Sequence, residues 1–228
     1  MQKLQWIYAA LLLLGLSCTA YGQDDVRQLD PFQEISVSGK LRVELVPGDS
    51  EQVEIYTEDL SPDDVNLKYR GNSLRISLIE GLIKNHEPVY VRVVFRELRS
   101  IRASAGAQVK CDEVIKGGDL EIKVNSGAQM YLDIEAEHLE ASAAEGGQLE
   151  LTGSAQEQDA SASTGGMYDG HRLVSTRTYV RANTGGRTRV YATDFLDAAA
   201  NTGGWIEYKG DPAKKYTKSV LAGTIEQY

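Results

Sequence analysis

Ala103-Ser104-Ala105-Gly106-Ala107, Val124-Asn125-Ser126-Gly127-Ala128, Ala143-Ala144-Glu145-Gly146-Gly147, Ala162-Ser163-Thr164-Gly165-Gly166, Ala182-Asn183-Thr184-Gly185-Gly186 and Ala200-Asn201-Thr202-Gly203-Gly204 are six copies of one phrase. Their first glycines are spaced 21, 19, 19, 20 and 18 residues apart. A fixed period near twenty marks a solenoid, in which each unit buries its apolar face only by stacking on the next. Within each copy the apolar period is two, so the unit is built of strands and not of helices.

Alternation around the glycine sorts the columns. Five residues before it stand Ile101, Ile122, Ala141, Ala160, Val180 and Ala198, and three before stand Ala103, Val124, Ala143, Ala162, Ala182 and Ala200. Three residues after it Val109, Met130, Leu149, Tyr168, Thr188 and Ile206 resume the inward set, with the Tyr and the Thr as imperfect members. These columns describe a slim parallel β-helix whose coils sit ~4.8 Å apart. Gly106, Gly127, Gly146, Gly165, Gly185 and Gly203 are its structural corners, where a positive φ or a close backbone approach excludes a Cβ. Outward columns hold Ser104, Asn125, Ala144, Ser163, Asn183 and Asn201 before the corner, and Gln108, Gln129, Gln148, Met167, Arg187 and Trp205 after it. Stacked Asn and Gln can hydrogen-bond along the axis, and the same side chains form a repetitive polar face.

Toward the N-terminus the repeat gives way to shorter alternating runs over residues 30–100, including Ile35 with Val37, Leu41 with Val43 and Leu45, and Val89 to Phe95. The punctuation falls at Ser38-Gly39, Pro47-Gly48-Asp49, Gly71-Asn72 and Gly81, and Gly71-Asn72 is short enough for a hairpin. Only Asp59 to Val65 hints at a helical turn, capped by Ser61 with Pro62 at its first position. The expectation is an all-β chain in which residues 31–228 form a single domain. Residues 31–97 are its antiparallel or mixed strand-rich portion, and residues 98–228 are the Gly-repeat β-helix with a C-terminal cap around Val220 to Ile225.

Ahead of a short linker over residues 23–30 lies a leader. Lys3 precedes an apolar run from Ile7 to Leu16, too short to span a bilayer comfortably, and Ala20-Tyr21-Gly22 suits cleavage by ordinary signal peptidase. The alternative is lipoprotein processing at Cys18, whose Leu14-Gly15-Leu16-Ser17 context lacks the usual lipobox leucine. Both routes export the chain to the periplasm, the outer-membrane surface or the exterior, with no transmembrane segment left in the mature protein. Ordinary cleavage leaves Cys111 as a lone thiol in a strand context, a small buried hydrophobe with no disulfide partner.

The 228 residues include 24 basic and 33 acidic ones, for a formal charge of −9. The leader contributes +1 through Lys3, so residues 23–228 carry −10, which disfavours nucleic acid and anionic membranes as partners.

Taken with the motifs, the chain resembles the family of secreted bacterial proteins described as "putative auto-transporter adhesin, head GIN domain". The resemblance spans about residues 31–226. It rests on Phe32 to Gly39, on Val43 to Asp49 followed by Val53-Glu54-Ile55, on Asn72 to Ile76, on Val89 to Val93 running into Leu98 to Gly106, on the Gly repeats and on Tyr208 to Pro212. It implies a right-handed β-helix at the envelope of Bacteroidetes-like bacteria, and it brings no catalytic residues with it.

Chemistry is sparse. No nucleophile elbow, zinc-protease, Cys-x-x-Cys, P-loop or dinucleotide fingerprint occurs, and His86, His138 and His171 stand in unrelated contexts. No catalytic, cofactor or metal site is expected. Six residues before the glycines, Glu121, Glu140 and Asp159 fall on consecutive coils. Opposed like charges repel, so exchanging all three for neutral isosteres should leave stability equal or slightly higher unless they share Ca²⁺. The function that follows is a non-enzymatic envelope scaffold presenting a polar β-helix face to a surface ligand, glycan or protein. Gln108, Gln129, Gln148, Arg187, Trp205, Tyr131, Tyr168 and Tyr191 are the candidate binding residues. A carbohydrate-binding module or polysaccharide-active enzyme using Tyr131, Tyr168, Tyr191 and Trp205 is the alternative, and self-association through the open last coil is a third reading.

Overall fold

The glycine phrases fold into tight corners in the computed structural model, which describes residues 25–57, 60–79 and 89–228. The expected leader, both cleavage sites, Cys18, Asp59, Gly81 and His86 lie outside the described residues. At every corner two consecutive residues have positive φ, as at Ala105 (52°) with Gly106 (78°) and Thr184 (49°) with Gly185 (69°). The fourth residue's N–H donates to the first residue's carbonyl, for example Gly186 to Asn183 at 2.9 Å. This is the pattern of a type I′ turn, whose twist matches that of the strands it joins. The segment that reads as a cap is a seventh corner, Val220–Gly223, in which Leu221 and Ala222 take φ of 48° and 61°.

A second ladder runs through the corners themselves. The N–H groups of Gly106, Gly127, Gly146, Gly165, Gly185 and Gly203 each donate to the carbonyl of a positive-φ residue in the next corner, at 3.0–3.2 Å. Turn backbone that would otherwise face solvent is therefore paired coil to coil.

Between corners the chain forms β8 (Ser100–Ser104), β9 (Gln108–Val124), β10 (Gln129–Ala144), β11 (Gln148–Ser163), β12 (Met167–Ala182), β13 (Arg187–Asn201), β14 (Trp205–Lys209), β15 (Lys214–Val220) and β16 (Thr224–Gln227). Neighbouring strands pair in parallel and in register, so Ile122, Ala141, Ala160, Val180 and Ala198 stack in line. All eighteen residues of the three inward columns are buried, Thr188 and Tyr168 among them. Beyond the coil's first stretch, Ile115, Ile134, Leu173 and Leu120, Leu139, Leu196 complete the core.

The parallel stack does not begin at residue 98. β2 (Glu34–Ser38) lies between β8 and β6 (Ser73–Leu78), and β3 (Leu41–Pro47) lies between β9 and β7 (Val89–Phe95), all in parallel. Two further coils thus precede the repeats in space, and they are threaded out of sequence order. Antiparallel strands finish that end. β5 (Val65–Arg70) pairs with β6 through the Gly71-Asn72 hairpin, β4 (Gln52–Tyr56) pairs with β7, and β1 (Asp25–Gln28) pairs with β4. Pro62–Asp64 is a 3₁₀ turn, with Ser61 accepting from the Asp63 N–H and Asp64 accepting from the Ser61 N–H. At the opposite end β15 is exposed along its whole length and carries Lys214, Lys215 and Lys218. Lysines on an open edge oppose strand addition by a second copy.

Candidate functional site

One sheet collects the outward columns that follow the corners. Its strand order is β1-β4-β7-β3-β9-β10-β11-β12-β13-β14-β16, and Gln108, Gln129, Gln148, Met167, Arg187 and Trp205 lie opposite one another across it. The expected ladder is partial: Gln108 donates to Gln129 at 3.5 Å, and in the column before the corner Asn201 donates to Asn183 at 3.0 Å.

At the C-terminal end of this sheet most charged side chains pair with one another, while the buried Trp205 Nε1 and Thr188 hydroxyl have no hydrogen-bond partner among the described residues. Arg187 covers the Trp205 ring at 5.3 Å and Lys209 covers Tyr191 at 5.0 Å. Arg189 lies 2.8 Å from Glu207 and 3.6 Å from Asp169, while Arg172 pairs with Glu150. Tyr168 is not part of any outer face. It points inward, is fully buried, and its hydroxyl oxygen accepts a hydrogen bond from the Gln158 amide at 2.6 Å. Its place among the binding candidates is corrected accordingly: the inward alternation wins because Gln158 satisfies the hydroxyl.

Toward the N-terminal coils the same sheet opens into a groove of about 580 Å³, lined by residues that include Arg42, Glu44, Tyr56, Tyr90, Arg92, Gln108, Lys110 and Tyr131. Tyr131 and Gln108, both candidates from the repeat pattern, line it together, whereas Tyr56 and Tyr90 lie outside the repeats and escape that pattern. Their signal is the alternation of β4 and β7, which turns Tyr56 and Tyr90 outward beside buried Ile55, Val89 and Val91. Register then places Arg42 opposite both Tyr90 and Gln108, and Glu44 opposite both Arg92 and Lys110. From Tyr90 across Arg42 and Gln108 to the strand of Tyr131 is three strand spacings, ~14 Å.

The groove is richer in cations than in anions. Arg42, Arg92 and Lys110 line it against the single carboxylate of Glu44. Lys110 lies 3.1 Å from Glu44 and 2.9 Å from Asp112, and Arg92 lies 3.4 Å from Glu54. Glu54 also accepts from the Tyr56 hydroxyl at 2.7 Å; that hydrogen bond and, after the opposing cost of burial, the Arg92 charge hold its carboxyl below the usual range. Arg42 makes no ion pair among the described residues. Its guanidinium lies 5.3 Å from the Tyr90 ring centre and donates to the Tyr90 hydroxyl.

On the other side of the corner the acidic column is compensated at Glu121 and Glu140, whereas burial, with the Glu140 and Glu157 charges, raises the Asp159 pKa against the lowering by Arg181. Glu121, Glu140 and Asp159 do stand opposite one another, but Arg102 and Lys123 flank Glu121, and Lys123 also reaches Glu140 at 3.0 Å. Burial raises the Glu121 pKa, yet hydrogen bonds from Lys123 and Ser100 and the Arg102 charge outweigh it and bring the carboxyl down to about 2. The folded value lies below the ordinary 4.5, so the contribution to stability is complete above that range and is lost as pH falls from about 4.5 toward 2. Removing this one charge is therefore expected to destabilise the chain: Glu121→Gln should cost about 1 kcal/mol at pH 7 after allowance for solvent screening. Urea unfolding of wild type and variant at pH 7 and near pH 2 checks this, since the difference should largely vanish at the lower pH.

Other reactive groups are occupied or enclosed. Cys111 is buried, its thiol donates to the Glu113 carbonyl at 3.2 Å, and burial pushes its pKa up to about 11. His171 sits 2.6 Å from Asp169, and His138 is 3.9 Å from Glu157. Among the described residues no group of three or more His, Cys, Asp and Glu side chains is arranged to hold a metal ion, and no helix is long and apolar enough to cross a membrane.

Solved structures share this architecture. A protein from Bacteroides fragilis described as a "putative adhesin" aligns with a TM-score of 0.84 at 17% identity, covering 92% of this chain and 98% of its own. A Parabacteroides distasonis protein with the same description aligns at 0.73 and 22% identity, covering 91% and 97%. A second P. distasonis protein, described as a "putative lipid binding protein", aligns at 0.62 and 17% identity, covering 92% and 98%. No curated protein matches the chain's sequence. The family model described as "Putative auto-transporter adhesin, head GIN domain" matches residues 31–212, and the chain belongs to that family.

Proposed function

We propose that this chain is an exported, non-enzymatic adhesive scaffold of the cell envelope, and that it binds through the outer face of its longest sheet. The observation that carries this reading is the groove walled by Tyr56, Tyr90 and Tyr131. Its volume suits a small ligand or the tip of a larger one, and its walls are rigid aromatic side chains exposed by 38%, 50% and 45%. Tyr90 and Tyr131 stand on parallel strands and Tyr56 on the antiparallel β4, all paired into one sheet, so little ordering cost attends binding. The Gln108, Gln129 and Gln148 column extends the groove as a polar track, while Arg187 and Trp205 cover one another farther along.

Cell-surface and glycan-array binding of the exported protein tests the reading. Joint replacement of Tyr90 and Tyr131 by alanine should reduce binding at least tenfold with an unchanged melting temperature, since both side chains project from the fold. Joint replacement of Arg187 and Trp205 should leave it within about twofold. Retained binding in the tyrosine variant would remove the groove from the function.

A further inference from the structure

We infer that the groove takes a carboxylate-bearing saccharide, with the Arg42 guanidinium as the receptor for the carboxylate and Tyr90 and Tyr131 as platforms for sugar faces; this rests on the groove being the binding element. Three observations converge on it. First, the groove gathers three cations on a chain whose formal charge is −9, and with Glu44, Glu54 and Asp112 beside them it is locally balanced where the chain as a whole repels anions. Second, the cations differ in their commitments. Lys110 and Arg92 already face Glu44, Asp112 and Glu54, whereas Arg42 has no carboxylate partner among the described residues and is oriented by Tyr90. The ring contact and the hydrogen bond to the Tyr90 hydroxyl orient the guanidinium and leave N–H donors for a carboxylate, a recognition in which arginine exceeds lysine.

Third, the surroundings of Arg42 fit a sugar better than a peptide strand. Tyr56, Tyr90 and Tyr131 offer aromatic faces with polar rims, and Gln108 and Glu44 stand between them as hydrogen-bonding partners for hydroxyl groups. Val43, Val91 and Val109 form an apolar floor, and the outward positions between the rings, Arg42, Glu44, Gln108 and Lys110, set polar groups over it, the pairing of apolar and hydroxyl-binding surface that a sugar ring presents. A peptide adding to the sheet would need a free strand edge, and β3, β7, β9 and β10 are each paired on both sides.

The test uses the exported chain and short oligomers of glucuronic, galacturonic and mannuronic acid, each paired with its methyl ester, in calorimetric titrations. At least one acid should bind, its ester should bind about tenfold or more weakly, and Arg42→Gln should weaken the acid by a similar factor without changing the ester. Tyr131→Ala should weaken both forms, and Arg177→Gln, a cation remote from the groove, should weaken neither. Raised salt should weaken the acid alone. Acid and ester binding equally, with a loss on Tyr131→Ala, would overturn the carboxylate inference while leaving the groove as the binding site. Binding of no acid would also overturn it, and the cell-binding result for the tyrosine pair would then decide separately whether the groove functions at all.

Discussion

Replacing Gly204 by alanine is expected to destabilise the fold by about 3 kcal/mol or more, while the same change at the preceding Gly203 should cost about 1 kcal/mol. The two glycines are adjacent but constrained differently. A Cβ on Gly204 would lie 2.1 Å from the Ala182 carbonyl oxygen and 2.4 Å from its carbon. Both atoms are backbone of the neighbouring coil, so no rotamer change relieves the overlap and the coils must part. A Cβ on Gly203 meets nothing within 4 Å, and only its φ of +71° opposes it. Ala222 already occupies the equivalent place in the seventh corner at 61°. The corner glycine Gly185 is similarly open, so Gly185→Val should cost about 1–2 kcal/mol through backbone strain alone.

The overlap is graded along the axis. At Gly166, Gly186 and Gly223 the nearest carbonyl oxygen would be 2.2–2.3 Å away, at Gly147 it is 2.8 Å, and in the two preceding corners the position is already filled by buried Ala107 and Ala128. Gly147→Ala should accordingly be the mildest of the changes at this position. Urea midpoints for the alanine variants at 147, 186, 203 and 204 provide the comparison. Equal losses at 203 and 204 would show that inter-coil approach is not the constraint.

The second large effect is expected at Tyr168, where alanine should remove about 3–5 kcal/mol by opening a cavity around a fully buried side chain. The ring stacks in its column between Leu149 and Thr188, and Gly170 makes room for it: a Cβ there would lie 2.5 Å from the Tyr168 hydroxyl. That hydroxyl accepts from Gln158, whose carbonyl accepts from Ser175 at 2.9 Å, and Ser175 in turn meets Thr178 at 2.5 Å. Tyr168→Phe should cost about 1–3 kcal/mol, because it leaves the buried Gln158 amide without its acceptor. Thermal unfolding of the two variants separates volume from hydrogen bonding. A Phe variant as stable as wild type would mean that the network contributes nothing net.

Much of this architecture is legible in the sequence because a solenoid is local. Each coil repeats the burial pattern of the last, so alternation about Gly106 to Gly203 locates the three buried columns without any knowledge of long-range contacts. Hidden from that reading is which glycine does what. The first glycine of each phrase answers to φ, and the second, in the four phrases that have one, to a carbonyl of the neighbouring coil, a contact no single repeat contains. Tyr168 is equally ambiguous in the sequence, since its column points inward while a hydroxyl favours water, and only the fold shows that Gln158, ten residues earlier, is its partner.

The groove is the least accessible feature, and the reason is topological. Repeats announce themselves by period, but the coils formed by β6 with β7 and by β2 with β3 are assembled from segments that are not consecutive. Tyr56, Tyr90, Arg42 and Tyr131 are therefore far apart in the chain and share no spacing rule. By itself the sequence determined an all-β solenoid, its period and its inward columns, because those depend on neighbours one coil away. Only the tertiary structure decided that Lys123 and Arg102 neutralise Glu121, and that three tyrosines and Arg42, which has no carboxylate partner among the described residues, meet on one face. Those outcomes depend on strand order and register between distant segments, which side-chain alternation does not encode.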